Sequence, residues 1–341
     1  MSDTRYLLLA EGFSADPHYG KTALGVLRYR RDDVVAILDS ARAGETMDGV
    51  PVVAAVGEAL PYGPTTALVG VATQGGRFPP AWIEILKQCI ERGLDVENGL
   101  HVFLADDDEI RGLAAGNGVE LRDLRRPPKD LSTATGAVFD VPGTIVLTVG
   151  SDCAIGKMTV SLELDLEARR RGIRSVFVPT GQTGIAIAGW GIAVDAVVAD
   201  FIAGAAERLV VEGAARGGEL LWVEGQGALL HPVYSGVTLG LYHGSAPHLL
   251  VLCHQVGVTE NEGAGGGPHP IPPLRELVEL HERIALPRRP SRVVAIALNT
   301  RAVAEDEARA AIAAAEAETG LPADDPVRFG AARLVDAVLG A

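Results

Sequence analysis

The chain has 341 residues, more than one hydrophobic core usually organises, so the sequence predicts two domains. Its 44 acidic and 30 basic residues give a net charge of −14, which argues against nucleic acid and anionic membranes as partners. The three cysteines are too few for a disulfide framework, and together with a polar first segment they favour a cytoplasmic protein.

The first third of the chain alternates short apolar runs with runs of helical spacing, which is typical of a parallel sheet covered by helices. Strands are predicted at Tyr6–Ala10, Val34–Asp39 and Ala67–Val71 and near Val119–Leu121. Helices are predicted over Pro80–Arg92, which stops at a glycine, and over Asp106–Ala115, which opens with an acidic turn. We therefore expect a Rossmann-like domain over residues 1–128.

A stiff, polar string, Arg125–Lys129, predicts a linker, and a second domain is expected over residues 140–341. Its predicted strands are Thr144–Val149, Ser175–Val178, Leu220–Val223, Leu249–Cys253 and Val293–Leu298, and its predicted helices are Val160–Arg171, Phe201–Arg216 and Glu305–Thr319. The Gly- and Pro-rich segment Gly257–Pro273 is either a lid or a plain connection. The predicted class is α/β: a Rossmann-like parallel sheet followed by a P-loop NTPase-like parallel sheet.

A glycine-rich turn joins the first strand of the second domain to its first helix. Glycines let backbone N–H groups turn inward, the helix N-terminus adds partial positive charge, and a lysine adds a full charge. This geometry predicts a phosphate-binding loop formed by Gly150, Ser151, Asp152, Cys153, Ala154, Ile155, Gly156, Lys157, Met158 and Thr159.

The loop departs from the standard phosphate-loop pattern GxxxxGK[ST] in two ways. Five residues, not four, separate Gly150 from Gly156, and Met158 occupies the place of the hydroxyl that normally binds magnesium. Thr159 follows one position late. The sequence therefore predicts phosphate binding without a resident metal, and it puts NTP hydrolysis in doubt.

Three residues are candidates for acid–base catalysis. Glu224 ends an apolar strand, where parallel sheets face their ligands; the alternative is a solvated strand-end carboxylate. Asp152 lies inside the loop and either contacts the substrate or a metal or stabilises the turn. His231 can move a proton near neutral pH or serve as a hydrogen-bonded structural histidine.

A further set of polar residues follows other predicted strands. The substrate-binding candidates are Gln182, Thr183, Gly184 and Gln226 in the second domain and Gln74 and Arg77 in the first. The alternatives for them are a plain turn and a solvated surface. Asn299 ends the last apolar strand, where its amide either contacts an adenine of the cofactor or caps the strand.

The second half resembles dethiobiotin synthetase. The shared features are the longer loop Gly150–Lys157, the glutamine-containing turn Gln182–Gly184 and the strand end Glu224–Pro232. Met158 departs from that family, which has a magnesium-binding threonine there. This resemblance implies an Mg-ATP-dependent ligase or kinase as the alternative function.

The whole chain is similar to the D-glutamate N-acetyltransferase family. The motifs that carry the resemblance are Gly150–Thr159, Thr180–Gly184, Ala188–Gly191, Glu224–Gly227 and Asp325–Gly330. The resemblance implies an N-acetyltransferase that uses acetyl-CoA and a D-amino acid, most simply D-glutamate. Coenzyme A fits the loop because its pyrophosphate needs N–H donors and a lysine rather than magnesium. The expected partners are a small amino acid and further copies of the chain.

Overall fold

The computed structural model describes residues 4–71, 78, 80–261 and 267–341. Contacts divide the chain into two compact units. The N-terminal unit comprises the chain up to Pro127 together with Gln182–Ala196, and the C-terminal unit comprises Pro128–Gly181 and Val197–Ala341. The assignment of residues 182–196 to the N-terminal unit is not part of the boundaries expected from the sequence.

The N-terminal unit contains a seven-stranded sheet in the order β3-β4-β2-β1-β5-β6-β7. All neighbouring strands in it are parallel except β3 and β4. The strands are β1 Tyr6–Leu9, β2 Val34–Leu38, β3 Thr46–Met47, β4 Val50–Val53, β5 Thr66–Val69, β6 Asp95–Asn98 and β7 Leu121–Asp123. The helices up to Asn117 are α1 Lys21–Tyr29, α2 Val56–Ala59, α3 Pro80–Glu91 and α4 Asp108–Asn117.

Alternate residues of β1 face two separate apolar layers, as the period of a strand dictates. Leu7 and Leu9 belong to the cluster that contains Trp82 of α3, whereas Leu8 belongs to the cluster that contains Val26 of α1. Both faces of the sheet are thus covered by helices, which is why β1 is apolar at every position.

The C-terminal unit contains a six-stranded, all-parallel sheet in the order β13-β12-β11-β8-β10-β9. Its strands are β8 Thr144–Gly150, β9 Ser175–Val178, β10 Leu220–Val223, β11 Leu249–Gln255, β12 Arg292–Asn299 and β13 Ala323–Asp324. The remaining helices of the chain are α5 Lys157–Arg170, α6 Gln182–Ala188, α7 Ile202–Ala215, α8 Ser235–Ser245, α9 Leu274–Arg283, α10 Glu305–Thr319 and α11 Ala332–Leu339. Of these helices, α6 belongs to the N-terminal unit.

The predicted α/β class, with two successive parallel sheets, is confirmed. Six helices, α1, α2, α6, α8, α9 and α11, and four strands, β3, β4, β6 and β13, were not predicted from the sequence, and β7 begins two residues later than predicted. The strand β6 shows why: its sequence is polar, yet Glu97 is buried because it accepts a hydrogen bond from the Tyr6 hydroxyl (3.2 Å) and pairs with Arg122. Those partners are distant in sequence.

Two other features can be considered only for the part of the chain that the structure describes. The segment Gly257–Pro273 contains residues 262–266, which lie outside them, so its assignment as a lid stays a prediction. In the part of the chain that is described, no helix has the length and apolar character needed to cross a bilayer.

A buried carboxylate, Glu207 of α7, anchors the segment that follows the linker. Its Oε1 accepts hydrogen bonds from the backbone N–H (2.7 Å) and hydroxyl (2.8 Å) of Thr135, and its Oε2 accepts from the N–H of Gly136 (2.7 Å) and of Val138 (3.3 Å). Burial opposes the charged form, but these donors outweigh it and lower the pKa of Glu207.

Replacing Glu207 with Ala should reduce the free energy of unfolding at neutral pH by about 1–3 kcal/mol, since the buried N–H of Val138 and the partly buried N–H groups of Thr135 and Gly136 lose their acceptor. Because the pKa of Glu207 is lowered in the folded state, its contribution is present above the unfolded pKa and is lost as the pH falls through the folded one. Urea denaturation at neutral and acidic pH measures this. Glu212→Ala, an exposed change on the same helix, is the control; an equal loss in both variants would contradict the assignment.

Candidate functional site

The predicted phosphate loop leaves the carboxyl end of β8, which lies between β10 and β11. The chain proceeds from β8 to β9 and β10 on one side and to β11, β12 and β13 on the other, so β8 marks the point where the strand order reverses. In open parallel sheets, ligands bind beyond the carboxyl ends of the strands at this point. Of the predicted residues, Glu224, Gln226 and Asn299 therefore share this edge of the sheet with the loop.

The loop has the backbone conformation of a cradle. Ala154 has a φ of 55°, in the left-handed region, and Gly156 has a φ of 111° and precedes the first turn of α5. Within the described residues, no side chain caps this helix start. The first intrahelical bond runs from Val160 N–H to Gly156 O (2.9 Å), which leaves the preceding N–H groups without intrahelical acceptors. Such a start favours an anion.

Neighbouring strands brace the loop. Ser151 donates its N–H to Cys253 O (3.1 Å), its hydroxyl lies 2.9 Å from His254 Nδ1, and its carbonyl accepts from Asn261 Nδ2 (3.0 Å). Burial lowers the pKa of His254, which favours the neutral ring. On the other side, Asn299 Nδ2 donates to Ile155 O (3.0 Å). The Asn299 amide thus supports the loop; contact with an adenine stays a prediction.

Lys157 places a buried cation in the loop. Its Nζ donates to Asp152 O (2.6 Å), and only 5% of the residue is exposed. Burial lowers the pKa of Lys157, and electrostatic interactions with Cys153, Cys253, Asp152 and Glu224 act in the opposite direction. An anionic ligand would stabilise the ammonium in this setting, as expected of a phosphate-binding lysine.

The structure brings two of the predicted catalytic residues together. His231 Nε2 lies 4.0 Å from Asp152 Oδ1, and both residues are buried. His231 Nδ1 accepts a hydrogen bond from Val233 N–H (3.1 Å), so in the neutral ring Nε2 carries the proton and faces the carboxylate. Asp152 Oδ1 also accepts from Cys153 N–H (2.7 Å).

Asp152 and His231, with Cys153 beside them, form a group of potential metal ligands. Ligand atoms of Asp152, Cys153 and His231 all lie within 4.8 Å of one another. However, the lone pair of His231 Nδ1 is used by Val233 N–H, and Nε2 of the neutral ring then has no lone pair for a cation. This donor set does not fit a metal without a change of tautomer and the loss of that bond.

Glu224 is fixed on the neighbouring strand end. Its Oε2 accepts from the N–H of Thr180 (2.9 Å) and of Gly181 (3.1 Å), and the Thr180 hydroxyl donates to Glu224 O (2.8 Å). The alternative of a solvated carboxylate is wrong, because only 6% of Glu224 is exposed. Gln226, a predicted substrate-binding residue, donates its amide to Thr180 O, so it supports the same corner.

The remaining predicted substrate residues lie elsewhere. Gln182, Thr183 and Gly184 do not form a turn but open helix α6 of the N-terminal unit. Within that unit Gln182 Oε1 accepts from Arg125 Nη2 (2.7 Å), and the hydroxyls of Thr183 and Thr22 lie 2.7 Å apart. Gln74 and Arg77 lie outside the described residues. Substrate contact by these five residues stays a prediction.

Uncharged residues that were not predicted as part of the site also shape it. The Thr148 hydroxyl accepts from Gly225 N–H (2.9 Å) and lies 3.0 Å from the Ser161 hydroxyl, which ties β8, β10 and α5 together. Thr180 links β9 to Glu224. Their positions at or near strand ends in a parallel sheet were the available signal.

The contact between Gly225 and β8 allows no side chain. A Cβ at Gly225 would lie 1.7 Å from Thr148 O and 3.1 Å from Lys157 Cδ.

Gly225→Ala should therefore destabilise the C-terminal unit and displace the loop. The control is Gly236→Ala, where a Cβ meets nothing within 4 Å, and this variant should leave the melting temperature nearly unchanged. Thermal unfolding of both variants checks this. Equal melting temperatures would contradict the packing described.

Comparisons with known proteins agree with this architecture. A family model described as the DUF1611_C P-loop domain, a domain of unknown function, matches residues 132–335, and the DUF1611_N Rossmann-like domain matches residues 39–127. A crystal structure of a DUF1611 family protein from Anabaena variabilis is 42% identical, covers 99% of this chain and 100% of its own, and superposes with a TM-score of 0.91.

Two curated relatives carry the name D-glutamate N-acetyltransferase. The protein from Tritonibacter scottomollicae is 38% identical over 99% of both chains, and the protein from a Pseudoalteromonas species is 37% identical over 82% of both. The resemblance predicted from the motifs and the expected enzyme class, an N-acetyltransferase, are confirmed by these relatives. The chain belongs to the DUF1611 family, with its Rossmann-like N-terminal and P-loop C-terminal domains.

Proposed function

We propose that this protein transfers the acetyl group of acetyl-CoA to the amino group of D-glutamate. The observation that carries the proposal is the 38% identity, over 99% of both chains, to a protein named D-glutamate N-acetyltransferase. The acceptor comes from that name. The donor rests on the chemistry of the loop.

The loop suits a diphosphate group that binds without a divalent cation. It offers the N–H groups of an uncapped helix start and the buried ammonium of Lys157. Magnesium prefers oxygen ligands, and Met158 follows Lys157 where magnesium-binding loops have a hydroxyl. These features support coenzyme A over Mg-ATP as the ligand of the loop.

The reaction needs a base and an exit for the thiol. A base first takes a proton from the ammonium of the amino acid, and the amine nitrogen then forms a bond to the thioester carbonyl carbon. The carbon–sulfur bond breaks, and the second proton that the nitrogen loses passes to the thiolate, which departs as free thiol. Asp152 and Glu224 are the candidate bases. Both residues lie at the phosphate loop. In acetyl-CoA the pantetheine arm separates the diphosphate from the thioester. Either residue can therefore act as the base only if this arm folds back toward the loop.

The first test is release of free thiol from acetyl-CoA in the presence of D-glutamate, with magnesium removed by chelation. Lys157→Ala should raise the KM for acetyl-CoA at least about tenfold, because a charge-assisted contact to phosphate is lost. Lys129→Ala, an exposed lysine beside the linker, should leave KM unchanged.

Two results would refute the proposal. Absence of thiol release with every D- and L-amino acid tested would remove the acetyltransferase activity. Activity that requires magnesium and ATP would favour the ligase or kinase instead.

Asp152→Asn and Glu224→Gln separate catalysis from binding. The variant that lacks the base should lose about 10²- to 10⁴-fold in kcat with little change in the KM for acetyl-CoA. A carboxylate that only positions the loop should instead raise KM. Steady-state kinetics with both substrates decides, and an unchanged kcat in both variants would rule out these two residues as the base.

A further inference from the structure

A second cavity lies at the opposite edge of the C-terminal sheet. It has a volume of about 530 Å³, within the range of small-molecule sites, and its wall includes the first residues of β8, β10, β11 and β12. The phosphate loop leaves the other end of β8, seven residues further on, so the two places are about 20 Å apart along the strand. A small ligand in this cavity cannot also contact the loop.

Three arginines, Arg288, Arg289 and Arg292, line this space, which we call the arginine cavity. The guanidinium groups of Arg288 and Arg289 lie 4.2 and 5.0 Å from the ring centroid of Phe139. Arg289 is held further by hydrogen bonds to Ala246 O (2.9 Å) and Phe139 O (3.1 Å). Burial, and next the charge of Arg288, lower the pKa of Arg289. The fold therefore holds like charges close together.

No acidic side chain lines the arginine cavity. Among the residues that the structure describes, none of the three arginines forms an ion pair with an acidic side chain. This is notable in a chain that carries 44 acidic residues and a net charge of −14. Ala341 also lines the cavity, and its α-carboxylate is an acidic group in the wall. Three guanidinium groups against this one carboxylate leave a net positive charge for a ligand to neutralise.

Another cavity of the same unit provides an internal comparison. It has a volume of about 460 Å³ and is lined by Arg309 and Arg333, but also by Glu316 and Asp324. There Arg333 pairs with Glu316 (2.5 Å) and Arg309 with Glu305 (2.8 Å). Acidic side chains thus pair with the arginines of this cavity, whereas no acidic side chain pairs with those of the arginine cavity.

We propose that the arginine cavity binds a small organic anion with two or more carboxylate or phosphate groups. Guanidinium groups offer pairs of parallel N–H donors that match both kinds of oxyanion. The apolar side chains of Leu249 and Val338 form part of the wall and can contact the carbon body of such a molecule. This inference does not depend on the proposed function, since the catalytic edge of the sheet is not involved.

The test is calorimetric titration with two probes, citrate for the carboxylate class and fructose 1,6-bisphosphate for the phosphate class. Arg288→Ala/Arg292→Ala, which changes two exposed side chains, should weaken binding of the preferred probe at least about tenfold. Arg288→Lys/Arg292→Lys should restore part of it, because the charge returns without the paired donors. The preferred probe identifies the chemistry of the ligand.

Two controls locate the binding site. Arg170→Ala/Arg283→Ala removes the same charge from exposed positions outside the cavity and should leave the affinity unchanged. Lys157→Ala should also bind normally, whatever becomes of the proposed acetyltransferase activity. The inference is overturned if neither probe binds the parent protein, if both arginine pairs weaken binding equally, or if binding is lost only in Lys157→Ala.

Discussion

The burial of Lys157 is the constraint on which the arrangement of the phosphate loop depends. A cation that is 5% exposed requires fixed partners, and here they are the carbonyl of Asp152 and the negative groups around the loop. The backbone of the loop is braced by Cys253 and Asn299 from β11 and β12 and by Asn261 from the segment after β11, and His254 contacts the Ser151 hydroxyl. The order of the strands around β8 supplies those braces.

The same constraint explains why several polar residues near the loop are buried and engaged. Asp152, Glu224 and His231 are each oriented by a backbone N–H, so their side chains are fixed before a ligand arrives. Preorganised groups of this kind lower the cost of positioning a substrate. The hydrogen bond that orients His231 also fixes its tautomer, which is the reason that the Asp152, Cys153 and His231 set does not suit a metal.

Part of the fold and of the site was predictable from the sequence. The apolar strands β1, β2, β8, β11 and β12 and the helices α3, α5 and α10 follow local periodicity, and the phosphate loop follows from glycine and lysine spacing. The strand β6 was missed because its polar residues are buried only through partners such as Tyr6 and Arg122. The assignment of Gln182 and Thr183 to a turn was wrong because α6 packs within the N-terminal unit, on contacts that spacing does not reveal.

The sequence by itself determined the class of fold, the phosphate loop and the family, because these depend on short-range spacing of glycine, lysine and apolar residues. Only the tertiary structure decided which side chains surround the loop, since the strand order 13-12-11-8-10-9 brings together residues more than a hundred positions apart. It also decided that the Glu224 carboxylate is buried. The sequence alone allowed this group to be solvated, but in the structure it accepts hydrogen bonds from the backbone amides of Thr180 and Gly181. The physical reason is that burial and hydrogen bonding belong to the packed sheet edge, whereas local spacing specifies only the elements that form it.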